Sequence, residues 1–234
     1  NGAEFVRDVL KKFKEKAGDT WPCWALSNHD VQRSATRWGK NEDPTLFPAI
    51  SLAMLMSLRG SACLYQGEEL GLPQAEVPFE RLQDPYGITF WPEYKGRDGC
   101  RTPMPWSDAD HGGFAIVEPW LPVDERHLAL SVSEQEDSKG STLRSVRQFI
   151  NWRKHQPALI DGDLDLIEGT GEALVFTRSC DQQKLLVAIN MTGESIFVPY
   201  TGEIQKVHTE HGFTGRFVDN QIELPPYQAL YANL

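Results

Sequence analysis

The sequence lacks any run of about 20 consecutive apolar residues, which is the length that a membrane-spanning helix requires. It is also short of positive charge, with 23 basic against 33 acidic residues and a net charge of -10. A nucleic-acid backbone calls for a basic patch, so this balance argues against a nucleic-acid partner. The start of the chain shows no signal peptide, which favours a cytoplasmic protein. It opens with Asn1-Gly2 and not with Met, so its natural start can lie upstream.

Cysteine and histidine are sparse and dispersed. No two of the four cysteines stand at the spacing of a metal knuckle or a redox pair. Cys23 and Cys63 lie in apolar, strand-like runs, which favours buried free thiols over disulfides. His208 and His211 stand three residues apart, but in a strand that spacing does not face both rings in one direction. We therefore expect no metal site and no cofactor.

Three stretches have the apolar spacing of helices, namely 4–16, 44–59 and 141–155. The first two are each followed by a short apolar run, Cys23–Leu26 and Ala62–Tyr65, that is typical of a buried parallel strand. Each run ends in a polar segment, Ser27–Asp30 or Gln66–Glu69. Helix, strand and polar edge thus alternate as in an α/β fold, and both polar edges should emerge on the same side of a parallel sheet.

The remainder of the chain changes character near residue 157. Between 70 and 122 no periodicity is sustained, and a segment of this length in a compact domain is usually functional or disordered. Its aromatic residues favour an ordered loop. Further on, short strands separated by Gly, Asp and Asn turns indicate an antiparallel sandwich. These strands are expected over 164–167, 173–177, 185–189, 195–198, 204–207, 222–224 and 228–231. We therefore predict two domains, 1–157 and 158–234.

The polar segment Ser27–Asp30 is the first candidate site. Parallel α/β folds hold their active sites at the carboxyl ends of the strands, and here an apolar run delivers the imidazole of His29 and the carboxylate of Asp30. The alternative is that Asn28 and Asp30 merely cap the next segment. The residues alone leave both interpretations open.

Three segments resemble the α-amylase superfamily, glycoside hydrolase family thirteen, and within it the bacterial α-glucosidases. Ala25–Asp30 is similar to the end of the seventh barrel strand of that family, and Ala62–Gly71 is similar to the eighth strand. Gly96–Trp106 is similar to the long loop after the eighth strand in oligosaccharide-cleaving members. The resemblance implies the C-terminal portion of a (β/α)8 TIM barrel, strands 7 and 8, followed by an antiparallel β-sandwich domain.

The resemblance also implies that part of the catalytic machinery lies outside this sequence. Retaining glycosidases need a carboxylate nucleophile and a carboxylic acid about 5–5.5 Å apart. The family carries them after its fourth and fifth strands, and neither segment occurs here. Gly215–Asp219 is a near match to the nucleophile segment, but its Arg stands one place early. The expectation is therefore an exo-acting α-glucosidase fragment, inactive alone, whose partners are an α-glucoside oligosaccharide and the missing N-terminal half, or a second copy of the fragment.

The resemblance assigns roles to three residues. Asp30 would be a catalytic carboxylate that holds the 2- and 3-hydroxyls of the glucosyl ring and stabilises the transition state without attacking or transferring a proton. His29 would hydrogen-bond the same ring. Arg97 would pair with an Asp from the early barrel and bind the 4-hydroxyl of the terminal glucose. The alternative for Arg97 is a surface ion pair with Asp98.

Other interpretations stay open at this point. A non-catalytic scaffold relative is disfavoured by the intact His29–Asp30 pair and by the 96–106 loop, and a free-standing sugar-binding module in 158–234 is disfavoured by its few candidate aromatic residues. Arg33 and Arg37 suit either the cleft or a barrel salt bridge. Cleavage of α-1,4, α-1,6 or sucrose linkages cannot be separated, because specificity also depends on strands outside this sequence.

Overall fold

The computed structural model describes residues 2–234, which form a mixture of α-helices and β-strands. The helices are α1 Gly2–Ala17, α2 Ser34–Arg37, α3 Leu46–Ser57, α4 Pro85–Thr89, α5 Glu125–Leu128, α6 Val132–Asp137, α7 Thr142–Arg153 and α8 Pro157–Asp161. The strands are β1 Cys23–Trp24, β2 Ser61–Ala62, β3 Asp163–Leu166, β4 Leu174–Cys180, β5 Gln183–Ile189, β6 Ile196–Pro199, β7 Lys206–Val207, β8 Arg216–Val218, β9 Gln221–Leu224 and β10 Ala229–Asn233.

The three long helices lie where the apolar spacing predicts them. Helix α1 carries Glu4 in its first turn and Lys14 and Lys16 in its last, and charges in this arrangement interact favourably with the helix dipole. It ends before Gly18, whose φ of 59° suits glycine. Helix α3 is apolar on almost every face and correspondingly buried, as expected for a helix enclosed by other elements.

The predicted parallel strands are present but shorter than their apolar runs. Strand β1 pairs with β2 in parallel, Cys23 opposite Ser61 and Trp24 opposite Ala62. The expectation of buried thiols is wrong, because Cys23 and Cys63 are both exposed, although both are free. The reason is that β1 and β2 form a sheet of two strands, and the described residues supply no further strand to cover that face.

The C-terminal residues form two antiparallel sheets that share a core. One sheet has the order β3-β4-β5-β10-β7, and the other has the order β6-β9-β8. Apolar side chains from both sheets meet in that core, with Val175, Leu186 and Leu230 on one side and Val198 and Ile222 on the other. All seven predicted strands overlap an observed one. Strand β8 was not predicted, since its three residues are mostly exposed and carry little apolar signal.

One buried arginine on strand β4 binds the C-terminal ends of two helices. Arg178 of β4 is fully buried and donates to the carbonyl oxygens of Ser57 at 2.7 Å and Gly162 at 2.8 Å. These carbonyls lie at the ends of α3 and α8, where a positive charge is favourable. Burial lowers the pKa of Arg178 to about 10, so the side chain remains charged at neutral pH.

The described residues group into two compact units that are interleaved along the chain. One contains the residues up to Trp24, 50–63 and 146–234, and the other contains 25–49 and 64–145. The predicted division of the chain into domains 1–157 and 158–234 stays a prediction. None of the helices within residues 2–234 combines the length and the apolar character needed to cross a membrane.

The His208–His211 segment differs from its prediction as a strand. Strand β7 ends at Val207, and a turn follows. Both rings consequently pack on Trp152, at centroid distances of 5.4 Å for His208 and 4.9 Å for His211. His211 is 1% exposed and accepts a hydrogen bond from the Phe213 amide at Nδ1. Burial lowers its pKa to about 4, so it is a neutral core residue at pH 7.

We predict that His211 makes the protein acid-sensitive. The unfolded chain binds a proton at His211 below about pH 6.5, whereas the folded chain resists protonation until about pH 4. Stability is therefore complete above the unfolded pKa and falls as the pH decreases, by roughly 3 kcal/mol in total. Denaturant unfolding between pH 7.5 and 4.5 should show this loss, and His211→Gln should flatten it. The exposed His155→Gln is the control, and an equal flattening by that variant would contradict the assignment.

Candidate functional site

The two polar segments that follow β1 and β2 are joined by a buried carboxylate. Glu68 is 4% exposed and accepts hydrogen bonds from the Ser27 hydroxyl at 2.5 Å and the Tyr65 amide at 2.9 Å. Burial raises its pKa above the ordinary value, although these hydrogen bonds oppose that effect. The direct Ser27–Glu68 contact confirms that both polar edges emerge on the same side.

Asp30 lies half-exposed beside two guanidinium groups and an imidazole ring. Its Oδ1 accepts from Nη1 of Arg97 at 3.1 Å and from Nη2 of Arg101 at 3.0 Å. Its Oδ2 lies 3.4 Å from Nε2 of His29. Partial burial raises the pKa of Asp30, but the nearby His29 ring and the hydrogen bonds from the two guanidinium groups outweigh it and hold the pKa below the usual value. The carboxylate is therefore ionised at neutral pH.

The alternative interpretation was that Asn28 and Asp30 cap the next segment. Of the two side chains, that of Asn28 accepts a hydrogen bond from the local backbone, but neither residue holds the N-cap position of α2. The side-chain oxygen of Asn28 accepts from the Asp30 amide at 2.8 Å, which forms a local Asx turn. Helix α2 begins later, with Arg33 at its N-cap position. The turn directs the backbone, while the Asp30 carboxylate is left to the surrounding cations.

Arg97 is anchored by a second carboxylate that the sequence analysis did not single out. Its Nε and Nη2 donate to the two oxygens of Asp84 at 2.9 and 3.0 Å, and its backbone amide donates to the same group at 2.8 Å. The Asp84 side chain is fully buried. The Arg97 hydrogen bonds lower its pKa far below the usual value. Asp98 is not the ion-pair partner of Arg97, since its Oδ2 accepts the backbone amides of Gln83 and Asp84.

A cavity of about 560 Å³ adjoins this cluster. Asp30 and Arg97 line it together with Gln74, Glu76 and Tyr94. The carboxylate, guanidinium, amide and aromatic groups in its lining can hydrogen-bond the hydroxyls and contact the apolar face of a polar, uncharged ligand. The described residues contain no group of three or more acidic, His or Cys side chains placed to hold a metal ion.

The remaining candidates are distributed differently. Arg33 is 1% exposed, donates to the Gln66 carbonyl at 2.7 Å and lies over the Tyr65 ring, so it is a core residue and not a cleft residue. Arg37 lines the cavity and lies over the ring of Trp38 at 4.8 Å.

Arg101 and Asp84 are the site residues that sequence reasoning missed. Arg101 follows Arg97 by four positions, and the intervening 98–100 segment is one 3₁₀ turn, which brings both guanidinium groups to Asp30. That spacing was available as a signal. Asp84 precedes Pro85, and an Asp-Pro pair predicts a helix N-cap, which Asp84 indeed provides for α4. Its second role, as the partner of Arg97, depends on a tertiary contact that the local sequence does not predict.

Comparison with known proteins identifies the family. The family described as alpha amylase, catalytic domain, matches residues 2–162. The chain therefore belongs to the α-amylase family.

Individual relatives make the comparison more specific. The chain is 42% identical over 234 residues to a probable alpha-glucosidase of Rhizobium meliloti (strain 1021), covering 98% of this chain and 42% of that protein. It is 29% identical over 210 residues to an oligo-1,6-glucosidase of Parageobacillus thermoglucosidasius, covering 81% of this chain and 37% of that protein. The chain thus spans less than half the length of these curated relatives.

Solved structures agree with the family assignment. The crystal structure of the alpha-glucosyl transfer enzyme XgtA is 44% identical, with a TM-score of 0.92, and covers 99% of this chain and 43% of its own. The trehalulose synthase MutB from Pseudomonas mesoacidophila MX-45 is 22% identical with a TM-score of 0.81, covering 99% of this chain and 46% of its own, and supports the fold alone.

We predict that Asp84→Asn destabilises the protein by about 2 kcal/mol, because it removes a buried charge that receives three hydrogen bonds from Arg97. The matched control is Glu118→Gln, which breaks the exposed Glu118–Arg81 pair and should change little. Denaturant unfolding at pH 7 measures both. Equal effects of the two variants would show that Asp84 does not anchor Arg97.

Proposed function

We propose that this chain is the C-terminal part of a retaining, exo-acting α-glucosidase that hydrolyses terminal α-glucosidic bonds of maltose-like oligosaccharides. In this proposal β1 and β2 are strands 7 and 8 of a (β/α)8 barrel, residues 1–157 belong to that barrel, and 158–234 form a β-sandwich domain. The parallel β1–β2 pairing and the two antiparallel sheets with a common core support this arrangement. The observation that carries the functional proposal is an ionised, half-exposed Asp30 beside a cavity.

Asp30 is the catalytic carboxylate that this chain contributes. Glycoside cleavage develops positive charge on the glucosyl ring, and a fixed carboxylate stabilises that charge while it accepts hydrogen bonds from ring hydroxyls. Its lowered pKa suits this role, because a protonated carboxyl group carries no negative charge to stabilise the transition state. Asp30 neither attacks the sugar nor transfers a proton in this proposal.

His29 and Arg97 bind the same glucosyl residue. Among the side-chain nitrogens of Arg97, Nη1 is the donor directed at Asp30, since Nε and Nη2 are held by Asp84. A guanidinium fixed in this way can present Nη1 to a sugar hydroxyl without moving. The exposed His29 ring can donate to a neighbouring hydroxyl.

The nucleophile and the general acid are supplied by the missing N-terminal half of the same protein. The isolated chain is therefore inactive, and its two-stranded sheet is incomplete. Without that half, the fragment can instead associate with a second copy of itself, because an uncovered strand edge readily pairs with another chain.

We predict that a full-length polypeptide carrying this chain hydrolyses p-nitrophenyl α-glucoside and that Asp30→Asn lowers kcat/KM by about 1,000-fold, because transition-state charge loses its partner. The exposed Asp110→Asn is the control and should retain activity. Residues 1–234 alone should show no turnover. The proposal fails if full-length Asp30→Asn keeps wild-type activity, or if the isolated chain turns over substrate in an Asp30-dependent way.

We also predict that the missing half covers the β1–β2 sheet. Cys23 and Cys63 are exposed in this chain, whereas Cys100 is buried. A thiol reagent followed by peptide mass spectrometry should label Cys23 and Cys63 rapidly in residues 1–234 and slowly in the full-length polypeptide. Cys100 is the internal control and should be protected in both. Identical labelling of Cys23 and Cys63 in the two proteins would contradict the proposal.

Glucosyl transfer is a second candidate reaction, favoured by the 44% identity to an alpha-glucosyl transfer enzyme. A retaining mechanism holds the glucosyl group on the nucleophile, after which water or a second hydroxyl compound accepts it. Product analysis decides between them, since hydrolysis of maltose releases glucose alone and transfer forms a larger glucoside. Parallel assays with isomaltose and sucrose separate the linkage alternatives, which include the oligo-1,6-glucosidase activity named for a relative.

A further inference from the structure

Arg101 connects the backbone and the side chain of the candidate catalytic segment. Its Nε donates to the carbonyl oxygen of His29 at 2.8 Å, and its Nη2 donates to Oδ1 of Asp30 at 3.0 Å. One planar guanidinium therefore fixes both the peptide that precedes Asp30 and the carboxylate itself. The Arg101 side chain is 19% exposed, so it is more sheltered than the 50% exposed Asp30 that it holds.

Arg97 cannot perform this function, although it also contacts Asp30. Its Nε, Nη2 and backbone amide are all engaged by Asp84, and Nη1 makes the contact with Asp30. Arg97 is thus oriented by Asp84, whereas Arg101 spans His29 and Asp30. The two arginines converge on the same oxygen, Oδ1.

Arg101 is itself held on a rigid turn. The 98–100 turn between the two arginines is pinned by a hydrogen bond from the Tyr65 hydroxyl to the Cys100 carbonyl at 2.9 Å and by another from the Ala75 amide to the Gly99 carbonyl at 3.0 Å. A Cβ at Gly99 would come within 2.5 Å of the Ala75 carbonyl oxygen, so glycine permits this close packing. The base of the Arg101 side chain is therefore well defined.

We propose that Arg101 is a positioning residue that fixes Oδ1 of Asp30 and thereby leaves Oδ2 to receive the hydroxyls of the glucosyl ring. This inference rests on the proposed function of Asp30 as a sugar-binding carboxylate. Because a catalytic group displaced by about 1 Å can lose about 100-fold in rate, the contact matters for geometry more than for affinity.

The test uses the full-length polypeptide and p-nitrophenyl α-glucoside. Arg101→Lys keeps the charge but cannot span both acceptors, and it should lower kcat about 100-fold while KM changes less than about threefold. The matched control is Arg81→Lys, because Arg81 pairs with the exposed Glu118 and lies in the same 66–122 loop. In an Asp30→Asn background Arg101→Lys should cause no further loss, whereas general structural damage would multiply the losses.

A rescue experiment covers the case in which the lysine variant folds poorly. Added guanidinium ion should restore kcat of Arg101→Ala at least tenfold, but should not restore the Arg101→Ala, Asp30→Asn double variant. Wild-type kcat in Arg101→Lys, losses that multiply with Asp30→Asn, or no rescue by guanidinium would each overturn the inference while Asp30 retains its role. A wild-type enzyme without α-glucosidase activity would instead remove the proposed function, and this inference with it.

Discussion

The candidate site depends on one guanidinium that is shared between two carboxylates of unlike burial. Asp84 is fully buried and engages two side-chain nitrogens and the backbone amide of Arg97, whereas Asp30 is half-exposed and engages one nitrogen. A buried charge that loses its partner is strongly destabilised, while an exposed pair is replaced by water or ligand at small expense. This difference in burial therefore determines which of the two hydrogen-bonded pairs can be broken. A ligand can displace the Arg97–Asp30 hydrogen bond without disturbing the Arg97–Asp84 pair.

This hierarchy also explains how a carboxylate can be both ionised and available. Asp30 stays charged because His29, Arg97 and Arg101 surround it, yet half of its side chain remains open. The cations converge on Oδ1, and His29 lies near Oδ2 at 3.4 Å. A half-exposed acceptor that has one oxygen held by two guanidinium groups and the other near an imidazole alone is suited to bind a neutral polyol, because it offers charge without having to lose every protein partner.

The sequence predicted those features that have a local cause. Apolar spacing located α1, α3 and α7, and apolar runs located the β1–β2 pair and seven of the C-terminal strands. The burial of Cys23 and Cys63 was predicted incorrectly, since burial depends on what lies across the sheet and not on the run itself. Asp30, His29 and Arg97 entered through a family resemblance. Asp84 and Arg101 did not, because their roles arise from tertiary contacts, which join Asp84 to Arg97 across 13 positions of the chain and Asp30 to Arg101 across 71.

Glu68 gives a further reason why the segment before Asp30 has a defined position. A buried carboxyl group favours its protonated form unless donors compensate, and here the Ser27 hydroxyl and the Tyr65 amide are both directed at it. Because Ser27 belongs to the segment that carries Asp30 and Tyr65 belongs to the one that follows β2, neither segment can shift without leaving Glu68 with an unmet buried acceptor. Such a loss is more expensive than the gain from any exposed contact. The segment that carries Asp30 is therefore held by the buried Glu68 and by Arg101, and the exposed part of Asp30 is left free to respond to a ligand.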